Sequence, residues 1–317
     1  CRLVLGLRAT VIVIAGNHDS PQRLAFGSRL LESSRLHIAG SVTSSPRPVM
    51  LEDAFGPVQV HAISYAEPPL VRERLGRDDI TDHEAATRAL VDCLRPALSG
   101  RTRSVLVAHA LVAGGEPSES ERPLSLGVAS MVPSSCFAGI HYVALGHLHR
   151  PQKAGSEGVQ YSGSLLKYSF SEADHAKSVT LVEMDAAGAC RVSRARLTPR
   201  RDVRCVRGSL ADLLKGPQGG ESREDYLSVT LLDRGAILDA MGKLREVYPN
   251  VLHIERPILT AAGSGPSERI DPHKVSDEQL FGSFFKEVTG EELRDEEKAA
   301  YAATTAEMRR REREETP

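Results

Sequence analysis

Four side chains of the kind that bind metal ions stand directly after short apolar runs of this sequence. Asn17 follows residues 11–16, His109 follows 105–108, and His147 and His149 follow 142–146. Short apolar runs rich in β-branched residues are typical of strands buried on both faces of a sheet. In open α/β sheets, ligands bind beyond the carboxyl ends of such strands. The sequence therefore predicts that these four side chains converge on one rim as a metal-centred active site.

The residue types indicate which metals such a site would take. On an extended segment, the spacing of His147 and His149 places both imidazoles on the same side. Neutral imidazole is the commonest metal ligand near neutral pH. The Asn17 amide oxygen is a hard ligand, and no thiolate accompanies it. Mixed oxygen and nitrogen ligation favours manganese, iron or magnesium-like sites, or an open catalytic zinc, over a closed structural zinc.

His18 is the candidate for acid–base chemistry. It points away from the metal if its neighbour Asn17 ligates, so it is placed as a cation or proton donor toward a bound phosphate, and Asp19 could orient its ring. Two metal ions about 3.5–4 Å apart, bridged by a carboxylate and a hydroxide, are the usual machinery of in-line phosphoester hydrolysis. Seven other histidines are interpreted as ordinary surface or core residues: His37, His61, His83, His141, His175, His253 and His273.

Length and composition are those of a globular protein. The 317 residues predict one large domain with one or two smaller pieces, and no apolar run approaches the roughly 20 residues that span a bilayer. No signal-peptide pattern opens the sequence, and the five scattered cysteines fit a reducing compartment, so we expect a cytoplasmic protein. The formal net charge of −2 excludes a globally basic protein, so any nucleic-acid surface must be local.

The elements that must position the site follow from periodicity and turn signals. Helices are predicted after Ser20, which with Asp19 offers a cap, and over 80–98. Residues 114–123 predict a polar loop over the site. Strands are predicted over 11–16, 36–42, 58–65, 104–108, 142–146, 159–164 and 179–185. A βαβ-like pattern follows at 226–232, 237–248 and 251–254. A Gly/Ser/Pro linker is predicted at 261–272, and then two helices split at Gly290.

In combination, these motifs resemble a known superfamily. Gly-Asn-His-Asp at 16–19, the strand-terminal His109 and Gly-His-Leu-His at 146–149 are similar, in that order, to the calcineurin-like metallophosphoesterases. Residues 144–152, 161–164, 169–172 and 275–281 further resemble the bacterial SbcD family of nuclease subunits. The resemblance covers nearly the whole chain from Val11 onward. It is specific at the motifs and loose over residues 195–260.

The resemblance implies a fold and a function. The fold is α/β: a four-layer αββα metallophosphoesterase sandwich over residues 1–194, a small α+β capping domain over 195–260, and a linker with C-terminal partner-binding helices over 261–317. The function is a 3′–5′ double-strand exonuclease and single-strand endonuclease in DNA repair, recombination and replication. The family usually uses two manganese ions. Asn17, His109 and His147 would bind one ion and His149 the other, with the catalytic His18 at the scissile phosphate.

The family also implies partners. These are a coiled-coil SbcC-type ATPase, double-stranded DNA ends and hairpins, and a second copy of the chain within a heterotetramer, without a membrane. The family's Asp-x-His and Gly-Asp motifs, which include the bridging aspartate, precede the Gly-Asn-His-Asp strand and are not supplied by residues 1–10. The chain begins at Cys1 without methionine, so we interpret it as a fragment lacking the first βαβ segment and impaired as a nuclease on its own. That expectation fails if the purified chain degrades DNA as fast as an N-terminally complete version.

Two surfaces leave alternatives open. The arginines between residues 191 and 207 either track DNA phosphates or form a solvated strand face. Leu280, Phe281, Phe284 and Phe285, with Val288, form a helical stripe that we favour as the surface for the ATPase partner. The alternative is packing on the chain's own small domain. Two rival functions remain at this point: a small-molecule phosphodiesterase or protein phosphatase, and a non-catalytic assembly module that docks on the ATPase or on DNA.

Overall fold

The computed structural model describes residues 6, 9–98, 102–121, 131–233, 237–256 and 277–315. The chain divides into two compact units, Cys1–Pro199 and Arg200–Pro317. The predicted linker at 261–272 lies outside the described residues. No helix in the described part of the chain combines the length and the apolarity needed to cross a membrane.

The first unit is built from short strands and helices. Its strands are β1 (Val11–Ile14), β2 (Leu36–Ala39), β3 (Val49–Asp53), β4 (Gly56–Ile63), β5 (Arg103–His109), β6 (Leu111–Val112), β7 (Met131–Val132), β8 (Tyr142–Gly146), β9 (Gln152–Ala154), β10 (Ser156–Tyr161), β11 (Ser178–Met184) and β12 (Cys190–Arg196). Its α-helices are α1 (Pro21–Leu24), α2 (Ser28–Leu31), α3 (Pro68–Leu75) and α4 (His83–Leu94). The 3₁₀ turns are Glu32–Ser34, Arg95–Ala97, Ser134–Phe137 and Phe170–Glu172.

A six-stranded sheet carries most of the site. Its strand order is β3-β4-β5-β8-β10-β9. Strands β4, β5, β8 and β10 run parallel, while β3 and β9 pair antiparallel at the two ends. Parallel neighbours end at the same edge, and the register places His109 directly opposite Gly146. The predicted convergence of the β5 and β8 ends is therefore observed.

Strand β1 is not part of the six-stranded sheet, but hydrogen bonds hold its end beside the same edge of that sheet. It pairs in parallel with β2 in a separate two-stranded sheet. The Ser64 hydroxyl accepts a hydrogen bond from the Ala15 N–H (3.1 Å) and donates one to the Ala39 carbonyl (2.8 Å). The Tyr65 N–H donates to the Ala15 carbonyl at 2.9 Å. These bonds fix the end of β1, and so Asn17, beside the end of β4.

Helix α4 shows why the predicted helix over 80–98 is shorter than expected. Asp82 caps its start by accepting a hydrogen bond from the Ala85 N–H at 2.8 Å. Its face with Ala89 and Leu94 is buried. The helix gives way to a 3₁₀ turn at Arg95–Ala97, because the Pro96 ring cannot continue an α-helix. The core beneath contains fully buried residues of three parallel strands, including Leu106, Val143 and Tyr161.

The second unit has its own core. Strands β13 (Val203–Gly208), β14 (Tyr226–Leu231) and β15 (Val251–Glu255) form a parallel sheet. Its helices are α5 (Leu210–Leu213), α6 (Ala240–Val247), α7 (Asp277–Thr289) and α8 (Asp295–Glu315). The predicted strand–helix–strand pattern corresponds to β14, α6 and β15. The split between two C-terminal helices at Gly290 is also observed. No bounds were predicted for strands β12 and β13, although a solvated strand face was one interpretation of the arginines between residues 191 and 207. Alternating arginines hide the apolar residues of these strands from a hydropathy pattern.

A mixed α/β fold is thus confirmed in the described residues. The four-layer αββα sandwich and the three-part domain division remain predictions from the resemblance.

Candidate metal and phosphoester site

Two glycines make room for the His109 imidazole. A Cβ atom at Gly16 would lie 2.8 Å from His109 Cε1, and one at Gly146 would lie 3.0 Å from His109 Nδ1. Both distances are shorter than ordinary carbon contacts, so any larger residue would displace the ring. The glycines of Gly-Asn-His-Asp and Gly-His-Leu-His therefore have a packing reason: they let three chain segments meet around one imidazole.

Asn17 and His109 are in direct contact. His109 Nε2 lies 2.9 Å from Asn17 Oδ1 and 3.5 Å from the Asn17 backbone nitrogen. The predicted partnership between the ends of β1 and β5, 92 residues apart, is observed. Asp19 takes a different role from the expected one, because its carboxylate accepts a hydrogen bond from the Gly16 N–H at 2.8 Å. Ser20 is the residue that caps the following helix.

His147 packs against His109 and shares its electrostatic environment. The two ring centroids are 5.3 Å apart with an interplanar angle of 71°. Burial lowers the pKa of His109 to about 4, with a further contribution from His147. Burial likewise lowers the pKa of His147 to about 4, and His149 and His18 contribute. Both imidazoles are therefore neutral at pH 7, which is the form that binds a metal ion.

His149 is held by hydrogen bonds at three of its four polar groups. Its backbone N–H donates to Glu121 Oε1 at 2.7 Å. Its carbonyl accepts from Lys177 Nζ at 2.9 Å and from the Ser164 N–H at 3.1 Å. Its ring Nδ1 lies 2.8 Å from Glu172 Oε1. No hydrogen bond from the described residues reaches its Nε2, so this nitrogen is available to a ligand.

Glu172 and Lys177 are functional candidates that the sequence interpretation missed. Glu172 is fully buried, and its Oε2 accepts a hydrogen bond from Lys177 Nζ at 2.5 Å. Burial by itself raises the pKa of Glu172, but hydrogen bonds from Lys177, Ser120 and His149 outweigh it and lower the pKa to about 2. The one available signal was the Ser-Phe-Ser-Glu segment at 169–172, which contributed to the resemblance without a role for Glu172.

The loop predicted over residues 114–123 contributes to the same network where it is described. Ser120 Oγ lies 3.0 Å from His149 Nδ1, and the Glu121 carboxylate accepts hydrogen bonds from Ser118. The Tyr168 ring packs edge-on against the His149 ring, with the two centroids 5.8 Å apart. Residues 122–123 of the predicted loop lie outside the described residues.

Among the described histidines that were interpreted as ordinary surface or core residues, two depart from that interpretation: His61 and His175. His141 pairs with Ser104 at 3.0 Å, and His273 lies outside the described residues. His61 is 1% exposed, yet neither of its ring nitrogens has a hydrogen-bond partner among the described residues. His175 is buried beside the Lys177 ammonium, which lies 3.4 Å from its Nδ1.

The donor chemistry of the site fits a divalent metal ion in part. Neutral His109 and His147 with the Asn17 amide oxygen form a mixed nitrogen and oxygen set, and His149 adds a further free nitrogen. Within the described ranges, however, no three His, Cys, Asp or Glu side chains are arranged to hold an ion by themselves. The described residues thus supply part of a ligand set and no bridging carboxylate.

The apolar stripe of helix α7 contains both packed and exposed side chains. Phe281 stacks on Tyr301 of α8 with ring centroids 4.2 Å apart, and Phe285 lies 6.3 Å from Phe281. Phe284 is 59% exposed. The side chain of Leu280 lies outside the described part of the structure. The partner-binding role of this stripe stays a prediction, with Phe284 as its exposed member.

The arginines between residues 191 and 207 also differ in environment, since one is held in ion pairs and others are exposed. Arg204 is largely buried and pairs with Glu221 (2.9 Å) and Asp225 (2.8 Å). A guanidinium held in this way supports the second unit rather than a phosphate. Three others are exposed along β12: Arg191, Arg194 and Arg196. Phosphate binding and a solvated strand face remain open for these three.

The fold and the site together define a mixed α/β protein with a histidine-rich centre at the ends of neighbouring parallel strands. A family model described as the type 5 capsule protein repressor C-terminal domain, SbcD_C, matches residues 199–289. The chain is also 26% identical over 291 residues to the D subunit of the nuclease SbcCD from Staphylococcus epidermidis (strain ATCC 12228 / FDA PCI 1200). That similarity covers 92% of this chain and 76% of the relative. Together these findings confirm the resemblance to SbcD-type nuclease subunits.

Proposed function

We propose that this chain belongs to the nuclease subunit of an ATP-regulated SbcCD-type complex, which cleaves DNA phosphodiester bonds with divalent metal ions, and that this chain is impaired as a nuclease on its own. The observation that carries the proposal is the convergence of Asn17, His109 and His147 at one edge, beside His149. Similarity to a nuclease subunit along 92% of the chain supports DNA as the substrate. The substrate forms proposed are double-strand ends, cut 3′ to 5′, and single strands.

The proposed roles are those that the family resemblance implies for these side chains. Asn17, His109 and His147 would hold one ion and His149 the second, with manganese as the expected metal. Bound divalent ions would polarise the scissile phosphate and supply a hydroxide nucleophile. His18 lies close enough to affect the pKa of His109 and His147, and its role is to donate a proton or a positive charge at the phosphate.

The relative's name assigns it to the SbcCD assembly, and we extend this to the present chain. The proposed partner is an SbcC-type coiled-coil ATPase, contacted through the C-terminal helices, with two copies of each chain in the complex. Phe284 is the described side chain best placed to contact it, because it remains exposed while Phe281 packs within the chain.

The test is manganese-dependent degradation of end-labelled linear duplex DNA, with and without the ATPase partner and ATP. A version extended upstream through the Asp-x-His and Gly-Asp motifs of the family is assayed in parallel. We expect the extended version to cleave DNA only with manganese and this chain alone to be impaired. In the extended version, His147→Gln should lower the rate roughly 100-fold. His253→Gln is the matched control, since His253 is exposed in the second unit.

Other outcomes would select a rival function. Partner binding without metal-dependent hydrolysis in either version would indicate a non-catalytic assembly module. Hydrolysis of bis(p-nitrophenyl) phosphate without DNA cleavage would indicate a small-molecule phosphodiesterase.

A further inference from the structure

The hydrogen bonds around His149 leave one orientation for its ring. The backbone N–H of His149 donates a hydrogen bond to Glu121. Its carbonyl oxygen accepts hydrogen bonds from Lys177 and Ser164. Ring Nδ1 lies 2.8 Å from the Glu172 carboxylate and 3.0 Å from the Ser120 hydroxyl, which also hydrogen-bonds Glu172. Nε2 is then the remaining polar atom, and no described residue bonds to it.

The groups that hold His149 are themselves buried and satisfied. The side chain of Glu172 is 0% exposed and that of Lys177 is 4% exposed. The Lys177 ammonium has three hydrogens and donates to the Glu172 carboxylate, the His149 carbonyl and the Ser164 hydroxyl, all within 2.9 Å. Burying such an ion pair carries a large desolvation penalty before its attraction is counted. An apolar pair would fill the same space without that cost, but it could not fix a proton on an imidazole.

We propose that Glu172 and Lys177 are positioning residues that keep the Nδ1 proton of His149 directed at Glu172 and leave Nε2 to face a metal ion. The inference rests on the proposed function, because it concerns the same site. A carboxylate can only accept a hydrogen bond, so the nitrogen facing Glu172 must carry the proton. In a neutral ring this leaves the lone pair on Nε2. Lys177 donates hydrogen bonds to the Glu172 carboxylate and to the His149 carbonyl, so it fixes both the group that orients the ring and the backbone that carries it.

The charged pair acts through His149 and not on the substrate, so its effect is expected on tautomer and metal affinity. Carboxylates that orient a ligating histidine typically contribute roughly 10–100-fold in metal affinity or activity. A purely structural pair would change stability and leave the tautomer of the folded protein alone.

The first experiment is ¹⁵N NMR of histidine-labelled, metal-free protein at pH 7.5, with the His149 signals assigned through their loss in His149→Gln. We expect wild-type His149 to be protonated on Nδ1. Protonation on Nε2 would overturn the proposal. This measurement needs neither DNA nor activity, so it can succeed or fail independently of the nuclease assignment.

The second experiment measures Mn²⁺ affinity by isothermal titration calorimetry. In Glu172→Gln the amide can donate to Nδ1, so we expect a mixture of tautomers and a roughly 10–100-fold weaker affinity at His149. Glu172→Asp retains a carboxylate, so it should recover part of the Nδ1-protonated tautomer and part of the Mn²⁺ affinity. Glu157→Gln is the matched control, because Glu157 forms an exposed pair with Lys153. An altered tautomer with wild-type Mn²⁺ affinity would contradict the positioning role.

Discussion

His147 and His149 are two residues apart in one motif, yet the molecule holds them by different means. His149 is fixed by a polar network that contacts its N–H, its carbonyl and its ring. No hydrogen bond from the described residues reaches the ring of His147. Its backbone has φ = 121°, a conformation that favours glycine, and its ring packs on His109. One ligand candidate is thus oriented by charge and hydrogen bonding, and the other by backbone conformation and burial.

The largest expected effect on stability comes from removing the positive charge of Lys177 from the polar network around His149. Lys177→Met should lower the free energy of unfolding by about 3–5 kcal/mol, because it leaves the Glu172 carboxylate buried without its partner. Chemical denaturation followed by circular dichroism measures the effect. Lys153→Met is the control, since the Lys153–Glu157 pair is exposed and should contribute less than about 1 kcal/mol. Equal losses in the two variants would show that the buried network does not stabilise the fold.

The second test uses pH. The pKa of His109 and of His147 is lowered to about 4, so between pH 6.5 and 4 the unfolded chain binds more protons than the folded one. Metal-free protein should therefore lose stability as pH falls through this window, by about 2 kcal/mol for each of the two histidines between pH 7.5 and pH 5. Denaturation midpoints at pH 7.5 and pH 5 measure the loss, which should shrink in His147→Gln.

Glu172 behaves differently over the same window. With a pKa of about 2, it keeps its charge down to pH 4.5 and its contribution is lost only as pH falls further toward 2. Glu172, which orients His149, therefore stays charged over the pH range in which the buried His109 and His147 destabilise the folded protein. A protein whose stability is flat from pH 7.5 to pH 5 would contradict the assigned pKa values.

The smallest test concerns the backbone at His147. Because its φ is 121°, His147→Gly should be more stable than His147→Ala by about 1 kcal/mol, the reverse of the usual order. The same pair of substitutions at His149, whose φ is not positive, should keep the usual order. Thermal unfolding of the four variants decides the matter. A less stable glycine variant at both positions would show that the conformation of His147 is not strained.

Much of the fold that carries the site was predictable. Apolar runs ending at Asn17, His109 and His147 predicted strands. Because parallel strands end at one edge of a sheet, these three side chains were also predicted to lie close together. Boundaries shifted by a few residues where turn chemistry intervened, as at Pro96. The amphipathic pattern of the Phe281 stripe predicted a helix, but it did not reveal that Phe281 stacks on Tyr301.

The sequence by itself determined the residue types at the strand ends, and therefore the class of chemistry available there. Only the tertiary structure decided that Glu172 and Lys177, 23 and 28 residues beyond His149, orient that histidine. It alone decided that Gly16 and Gly146 make space for one ring, and that His147 adopts a positive φ. The physical reason is that periodicity reports which face a residue occupies. Hydrogen-bond partners depend on where distant segments of backbone are placed.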